Sequence, residues 1–168
     1  MRIPLYVASP LGFSEAGRHF YYGKLLSAIG GAGEWDILDP WVLTDSRVID
    51  SANSAKEGIE RRHAWAVANH YIGANNERGI MRSKIMVAVL DGSDVDSGTA
   101  SEIGFASGLK IPIIGYRSDF RLSGDNVGAR VNLQVEYFIH SRGGDIVQNL
   151  SDLRRELTRW HKRLSVGV

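Results

Sequence analysis

The chain has 168 residues, 43% of them apolar and 23% charged, the balance of one ordinary globular domain over 1–168 with enough core to fold without staples. It contains no cysteine, which excludes disulfides, thiolate catalysis and cysteine-ligated zinc. With 20 basic and 19 acidic residues the formal charge is +1, so no global field is available to hold a polyanion.

Residues 3–8 (IPLYVA) read as a buried first strand, broken by Ser9-Pro10-Leu11-Gly12. Ser14 is placed to cap a helix. Glu15 falls in its first turn, where the dipole favours an anion, and Phe20, Leu25, Leu26 and Ile29 give it one apolar face. Gly30, Gly31 and Gly33 end that helix, and residues 35–38 form a short strand stopped by Asp39-Pro40. Residues 46–83 carry the weakest pattern. Ile59, Ala66, Val67 and Ile72 suggest a long helix from about Ala55, interrupted at Gly73. Residues 85–90 (IMVAVL) are apolar throughout, as a strand covered on both faces should be. A loop at 91–94 follows, then a helix from Thr99 to about Ser107, a strand at 111–116 and a loop over most of 117–130. A last short strand is expected at 135–139. A closing helix over 150–164 carries Leu150, Leu153, Leu157, Trp160 and Leu164 on one face.

Strands alternating with helices predict an α/β fold: a doubly wound, mostly parallel five-stranded sheet, flavodoxin-like or Rossmann-like, with helices on both faces. Ligands of such sheets sit beyond the carboxyl ends of the strands, which here are the loops 9–14, 91–98 and 117–125. No segment approaches the ~20 apolar residues that span a bilayer, and the sequence opens on a strand-like run without a signal-peptide pattern, so a cytoplasmic location is expected. The basic cluster Arg154, Arg155, Arg159, Lys162 and Arg163 is broken by Asp152 and Glu156 and reads as a solvated helix face, not as a nucleic-acid patch.

The chemistry-bearing segment is LDGSDVDSGTASEIG, residues 90–104, which leaves the strongest strand and opens a helix. It carries Asp91, Asp94, Asp96 and Glu102, with Gly92 and Gly98 permitting tight turns and close approach to a ligand. Glu102 is expected in the first helical turn, where backbone N–H groups hold a carboxylate ionised, the condition a nucleophilic carboxylate needs. Thr99 and Glu102 equally fit a capping box, but that does not account for three further aspartates crowded into one loop. The loop would also suit Mg²⁺, although no Gly-x-x-x-x-Gly-Lys phosphate loop accompanies it. Gly30-Gly31-Ala32-Gly33 follows a helix and fails as a dinucleotide fingerprint. His19, His63, His70, His140 and His161 show no metal-ligand spacing, and the serines show no nucleophile elbow.

The segment DGSDVDSGTASEIGFA strongly resembles the signature of the nucleoside 2-deoxyribosyltransferases. Leu5-Tyr6-Val7-Ala8-Ser9-Pro10 with Phe13 is similar to the family's opening strand and loop. Residues 115–121 (GYRSDFR) are similar to the segment after its fourth strand, and Val131-Asn132-Leu133-Gln134 to its Asn-Leu-Met motif. The resemblance implies Glu102 as nucleophile, Asp96 as the residue that contacts and helps protonate the base, and Tyr6 as the hydroxyl that orients the glutamate. It implies that Asn132 reaches the deoxyribose 5′-hydroxyl of a neighbouring subunit. Two positions depart from the family pattern: Asn76 stands where a second base-contacting aspartate is expected, and Gln134 where the family has methionine. An amide can hydrogen-bond a base but not donate a catalytic proton as an acid would, so the acid role shifts towards Asp96. The candidate catalytic set is Glu102, Asp96 and Tyr6; the candidate substrate-binding set is Asn76, Asp91, Gly92, Ser97, Gly98, Asn132 and Gln134, with no metal ligand and no cofactor. The implied activity is transfer of 2-deoxyribose between nucleobases by a retaining, ping-pong route, with deoxynucleosides and free bases as partners and a homo-oligomer, hexameric or dimer-based, as the assembly. An N-glycosidase using the same glutamate is the alternative, with Arg117, Arg121 and Arg130 available to a 5′-phosphate; a non-catalytic nucleotide-binding domain is a third reading.

Overall fold

The computed structural model describes residues 2–166; Met1, Gly167 and Val168 of the domain expected over 1–168 lie outside the described residues. Among those residues, strands β1 (Ile3–Ala8), β2 (Trp35–Leu38), β3 (Ile85–Val89), β4 (Ile113–Tyr116) and β5 (Ile146–Val147) form one sheet in the order β2-β1-β3-β4-β5. Every pairing is parallel. The expected α/β sheet is therefore present, and its order is the flavodoxin-like one, with the topological switch between β1 and β3.

Alternation along the strands builds two cores. Leu5, Val7, Ile85, Val87 and Val89 face one side, under α1 (Glu15–Phe20), a single π-helical stretch (Tyr21–Leu25), α2 (Leu26–Gly30) and α7 (Leu150–Val166). Tyr6, Ala8, Met86, Ala88 and Leu90 face the other, under α4 (Ile59–Arg82), α5 (Ser97–Gly108) and α6 (Leu133–Ser141). Ser14 caps α1 as expected, its Oγ accepting from Gly17 N at 3.0 Å. On α7, Leu153, Leu157 and Trp160 are buried, while Arg155 and Arg159 pair with Asp152 and Glu156 at 2.6 Å and Arg163 lies over the Trp160 ring.

Three elements differ from the sequence expectation. Residues 135–139 are not a strand but the middle of α6: Asn132 Oδ1 accepts from Gln134 N and Val135 N, starting a helix whose Val135 and Ile139, four apart, share its buried face. The last strand is instead the two-residue β5. Residues 46–82 form two helices, α3 (Ser46–Ser54), capped by Asp45, and α4. Finally, α4 runs unbroken through Gly73, because the hydrogen bonds of a 24-residue helix outweigh one glycine.

A Cβ at Gly73 would meet nothing within 4 Å. Gly73→Ala is therefore expected to stabilise the fold by roughly 0.5–1 kcal/mol, raising Tm by about 1–4 °C in a thermal melt.

Candidate functional site

The carboxyl ends of β1 and β3 open under a helical hairpin. α3 packs on α4, and only the C-terminal part of α4, at Gly79 and Ile80, is buried against the domain beside Tyr6. A Cβ at Gly79 would come within 2.9 Å of Leu43 Cδ1 and 3.1 Å of the Tyr6 ring, so glycine lets α4 sit on the tyrosine. The N-terminal part of α4 overhangs a cavity of about 560 Å³, within the range of small-molecule sites.

Glu102 and Tyr6 meet at the inner end of this cavity. Tyr6, fully buried on β1, donates its hydroxyl to Glu102 Oε1 at 2.7 Å. Asn76 Nδ2 approaches the same oxygen at 3.5 Å from α4. Oε2 has no side-chain hydrogen bond among the described residues. Asp96, which lines the cavity, is the N-cap of α5: its Oδ2 accepts from Thr99 N at 2.9 Å and Thr99 Oγ1 at 3.3 Å, and its Oδ1 has no hydrogen bond among the described residues. The helix thus starts at Ser97, not Thr99, and the Thr99–Glu102 capping box does not form.

Glu102 accordingly lies in the second turn, not the first. The expectation of a carboxylate held low fails with it: burial pushes Glu102 up to about 7, Tyr6's hydrogen bond opposes the rise, and the Asp96 charge adds to it. Burial and the Glu102 charge push the Tyr6 phenol far up, so it remains a donor at any working pH.

The acidic loop resolves into separate tasks. Asp91 accepts from Ser118 N, Ser118 Oγ and Asp119 N at 2.6–2.8 Å, Asp94 from Val95 N at 2.7 Å, and Asp96 from Thr99. Backbone N–H and hydroxyl donors offset their proximity. Asp91 therefore ties the β3 exit to the β4 exit and does not line the cavity. Gly92, at φ +134°, makes the turn a side chain would strain. Gly98 lines the cavity, and Ser97 is the first residue of α5. Asn132 and Gln134 lie away from the cavity, at the start of α6. Arg117 is buried, its guanidinium donating to the Leu90, Gly92 and Arg121 carbonyls; Arg121 pairs with Asp119, and Arg130 donates to Ile146 O. None of the three lines the cavity.

Most of the cavity wall was not legible in the sequence. Phe13 and Trp41 meet edge-to-face at 4.8 Å, and Pro40, Thr44, Ile49, Trp65, Asn69 and Ile72 complete the enclosure. Asp39, buried, fixes the turn that carries Trp41 by accepting from Tyr21 Oη at 2.8 Å and Trp41 N at 3.0 Å. Gly12 lies flat against the indole, and a Cβ there would fall inside it. The available signal was the pair of tryptophans Trp41, directly after Asp39-Pro40, and Trp65, neither on an expected strand.

The nucleoside 2-deoxyribosyltransferase family model matches residues 5–134, which contain Tyr6, Asn76, Asp96, Glu102 and Asn132. The chain belongs to the nucleoside 2-deoxyribosyltransferase family. By family it is a pentosyltransferase acting on nucleosides and nucleobases. Solved structures share the fold. A conserved protein of Enterococcus faecalis V583 is 24% identical, covering 95% of this chain and 99% of its own, with a TM-score of 0.68. A 2-deoxyribosyltransferase of Leishmania mexicana is 20% identical over 94% and 97%, with a TM-score of 0.61. A third, the 2-deoxyribosyltransferase of Bacillus psychrosaccharolyticus, is 18% identical over 89% of each chain, with a TM-score of 0.59. No curated protein matches the chain significantly. Among the described residues, no helix is long and apolar enough to cross a membrane, and no group of three or more histidines or carboxylates is arranged to hold a metal ion.

The raised Glu102 pKa makes a stability prediction. Folding favours the neutral acid, so stability falls as pH rises from the ordinary 4.5 through about 7, by an amount on the order of 3 kcal/mol. Glu102→Gln removes that penalty. The variant is expected to melt higher than wild type at pH 8, with the difference closing below about pH 4.5; equal melting at pH 8 contradicts a buried, reluctantly charged Glu102.

Proposed function

We propose that this chain transfers 2-deoxyribose from one nucleobase to another through a covalent deoxyribosyl–Glu102 intermediate. The observation that carries the reading is the Glu102 carboxylate at the inner end of an aromatic-walled cavity, one oxygen gripped by a phenol that stays protonated and the other without a side-chain partner.

With Oε1 held by Tyr6, Oε2 attacks C1′ of the donor nucleoside. The C1′–N bond breaks through an oxocarbenium-like state, its electron pair stays on the base nitrogen, and a proton reaches the departing base from solvent through a water held at Asp96 Oδ1. Oδ1 takes the role because Oδ2 is committed to the α5 cap. The second base enters, its nitrogen attacks C1′, the Glu102–C1′ ester bond breaks, and the proton returns by the same route. Two displacements retain configuration and give ping-pong kinetics. Asn76 steadies Glu102 and meets the base as a neutral amide.

Against a nucleotide hydrolase stands the engagement of Arg117, Arg121 and Arg130 with carbonyls and Asp119, outside the cavity. We also infer a homo-oligomer, in which the free Nδ2 of Asn132 and the side chain of Gln134 complete a neighbour's sugar site; this is supported by exposed Leu133 and Tyr137 beside them. A reaction that consumes a deoxynucleoside and a free base is one of nucleoside salvage, among cytoplasmic solutes.

Deoxyinosine and adenine should yield deoxyadenosine, with little free deoxyribose. Glu102→Ala should abolish transfer, and intact-mass spectrometry of wild type given deoxyinosine alone should reveal one added deoxyribosyl group. Activity in Glu102→Ala above a few per cent, or free deoxyribose as the main product, sinks the reading. The donor kcat/KM should rise with pH through about 7, because Glu102 must be ionised to attack, and Tyr6→Phe should shift that limb to higher pH. Asp96→Asn should slow natural deoxynucleosides by roughly 10²-fold or more, and substrates with activated leaving groups far less; equal slowing would make Asp96 a positioning residue.

A further inference from the structure

The cavity is longer than a nucleobase. Asn76, Ile72, Asn69 and Trp65 line it from successive turns of one face of α4. At 1.5 Å rise per residue, the stretch from Asn76 to Trp65 spans about 16 Å. Asn76 is at the reacting end, 3.5 Å from Glu102 Oε1. A purine, two fused rings with bonds near 1.4 Å, is roughly 6 Å across. Its bonded nitrogen must lie beside C1′, hence beside Glu102, so a base ends well short of Trp65.

The chemistry of the wall changes along this length. The charged groups of the wall, Glu102 and Asp96, are at the reacting end, whereas Trp65 and Ile49, with the neutral amide of Asn69 one turn from Trp65, come from the hairpin. Neither apolar side chain is required by the core. On α4 the buried residues are Ala68, Gly79 and Ile80, and on α3 only Ala52 is buried. The half-buried Trp65 and Ile49 face the cavity from an overhanging hairpin.

We propose that this far end is a distal subsite for an apolar arm on the base, so that the enzyme takes purines bearing a hydrocarbon substituent on the edge remote from the sugar. The inference rests on Glu102 marking the position of C1′. A neutral arm is selected because, among the described residues, no charged side chain lines that end, and an aromatic arm suits the Trp65 face.

The test uses two acceptors, adenine and N6-benzyladenine, with deoxyinosine as donor. The benzyl acceptor should show a kcat/KM roughly 10-fold above that of adenine, in line with burial of one aromatic ring. In Trp65→Ala this ratio should collapse towards one, and in Trp65→Phe most of it should remain. Binding is measured separately, by calorimetry on the Glu102→Gln protein with deoxyadenosine and its N6-benzyl derivative, with and without Trp65→Ala. Rejection of the benzyl compounds, or a preference that survives Trp65→Ala, overturns the subsite. A benzyl preference in binding that Trp65→Ala removes, without transfer to either base in the wild type, keeps the subsite and overturns the transferase reading instead.

Discussion

The hydrogen bond from Tyr6 to Glu102 is the interaction around which this molecule is arranged. It joins β1 to the second turn of α5 and fixes one carboxylate oxygen so that the other can face a ligand. The tyrosine must be buried for that, and its burial depends on Gly79, which brings α4 down onto the ring. The carboxylate must be partly desolvated, and desolvation is what lifts its pKa into the neutral range. Strength as a nucleophile and reluctance to ionise thus come from the same enclosure, with Tyr6 moderating the second.

The remaining architecture supplies what that pair lacks. A bare sheet edge would leave Glu102 open to water. The α3–α4 hairpin, entered through the Asp39–Tyr21 and Asp39–Trp41 contacts, roofs it with aromatic and small polar groups. The loops after β3 and β4 are locked to each other by Asp91 and Arg117, so the segment leading into α5 is held from below as well as capped by Asp96. Rigid support of this kind lets a carboxylate sit in a costly environment without the loop collapsing onto it.

The parallel sheet and both core faces follow from patterns visible in the sequence, because each inner strand is apolar on alternate or on all positions; the strand order does not, since flavodoxin-like and Rossmann-like sheets bury the same runs. The segment 90–104 was equally legible, through its crowding of carboxylates and glycines and its family resemblance. The hairpin was not, since its apolar residues answer to a cavity and not to a core, and so carry no clean period. Val135 and Ile139 deceived because a spacing of four is even: it keeps one face of a strand as well as one face of a helix, and only the Asn132 cap decides. The protonation of Glu102 is hidden from the sequence for a third reason. Sequence distance from a helix start gives a dipole, but burial, the larger effect here, belongs to the tertiary structure.

Gly12 and Trp41 carry a consequence for how such a site can change over generations. The indole rests where a Cβ of residue 12 would stand, so the two positions form a single steric unit although 29 residues separate them. A lineage that acquires any side chain at 12 must first shrink the residue at 41, and a lineage that has shrunk 41 is free to enlarge 12. Reshaping this wall of the cavity therefore has an obligatory order of steps, and that order passes through an intermediate with a wider pocket.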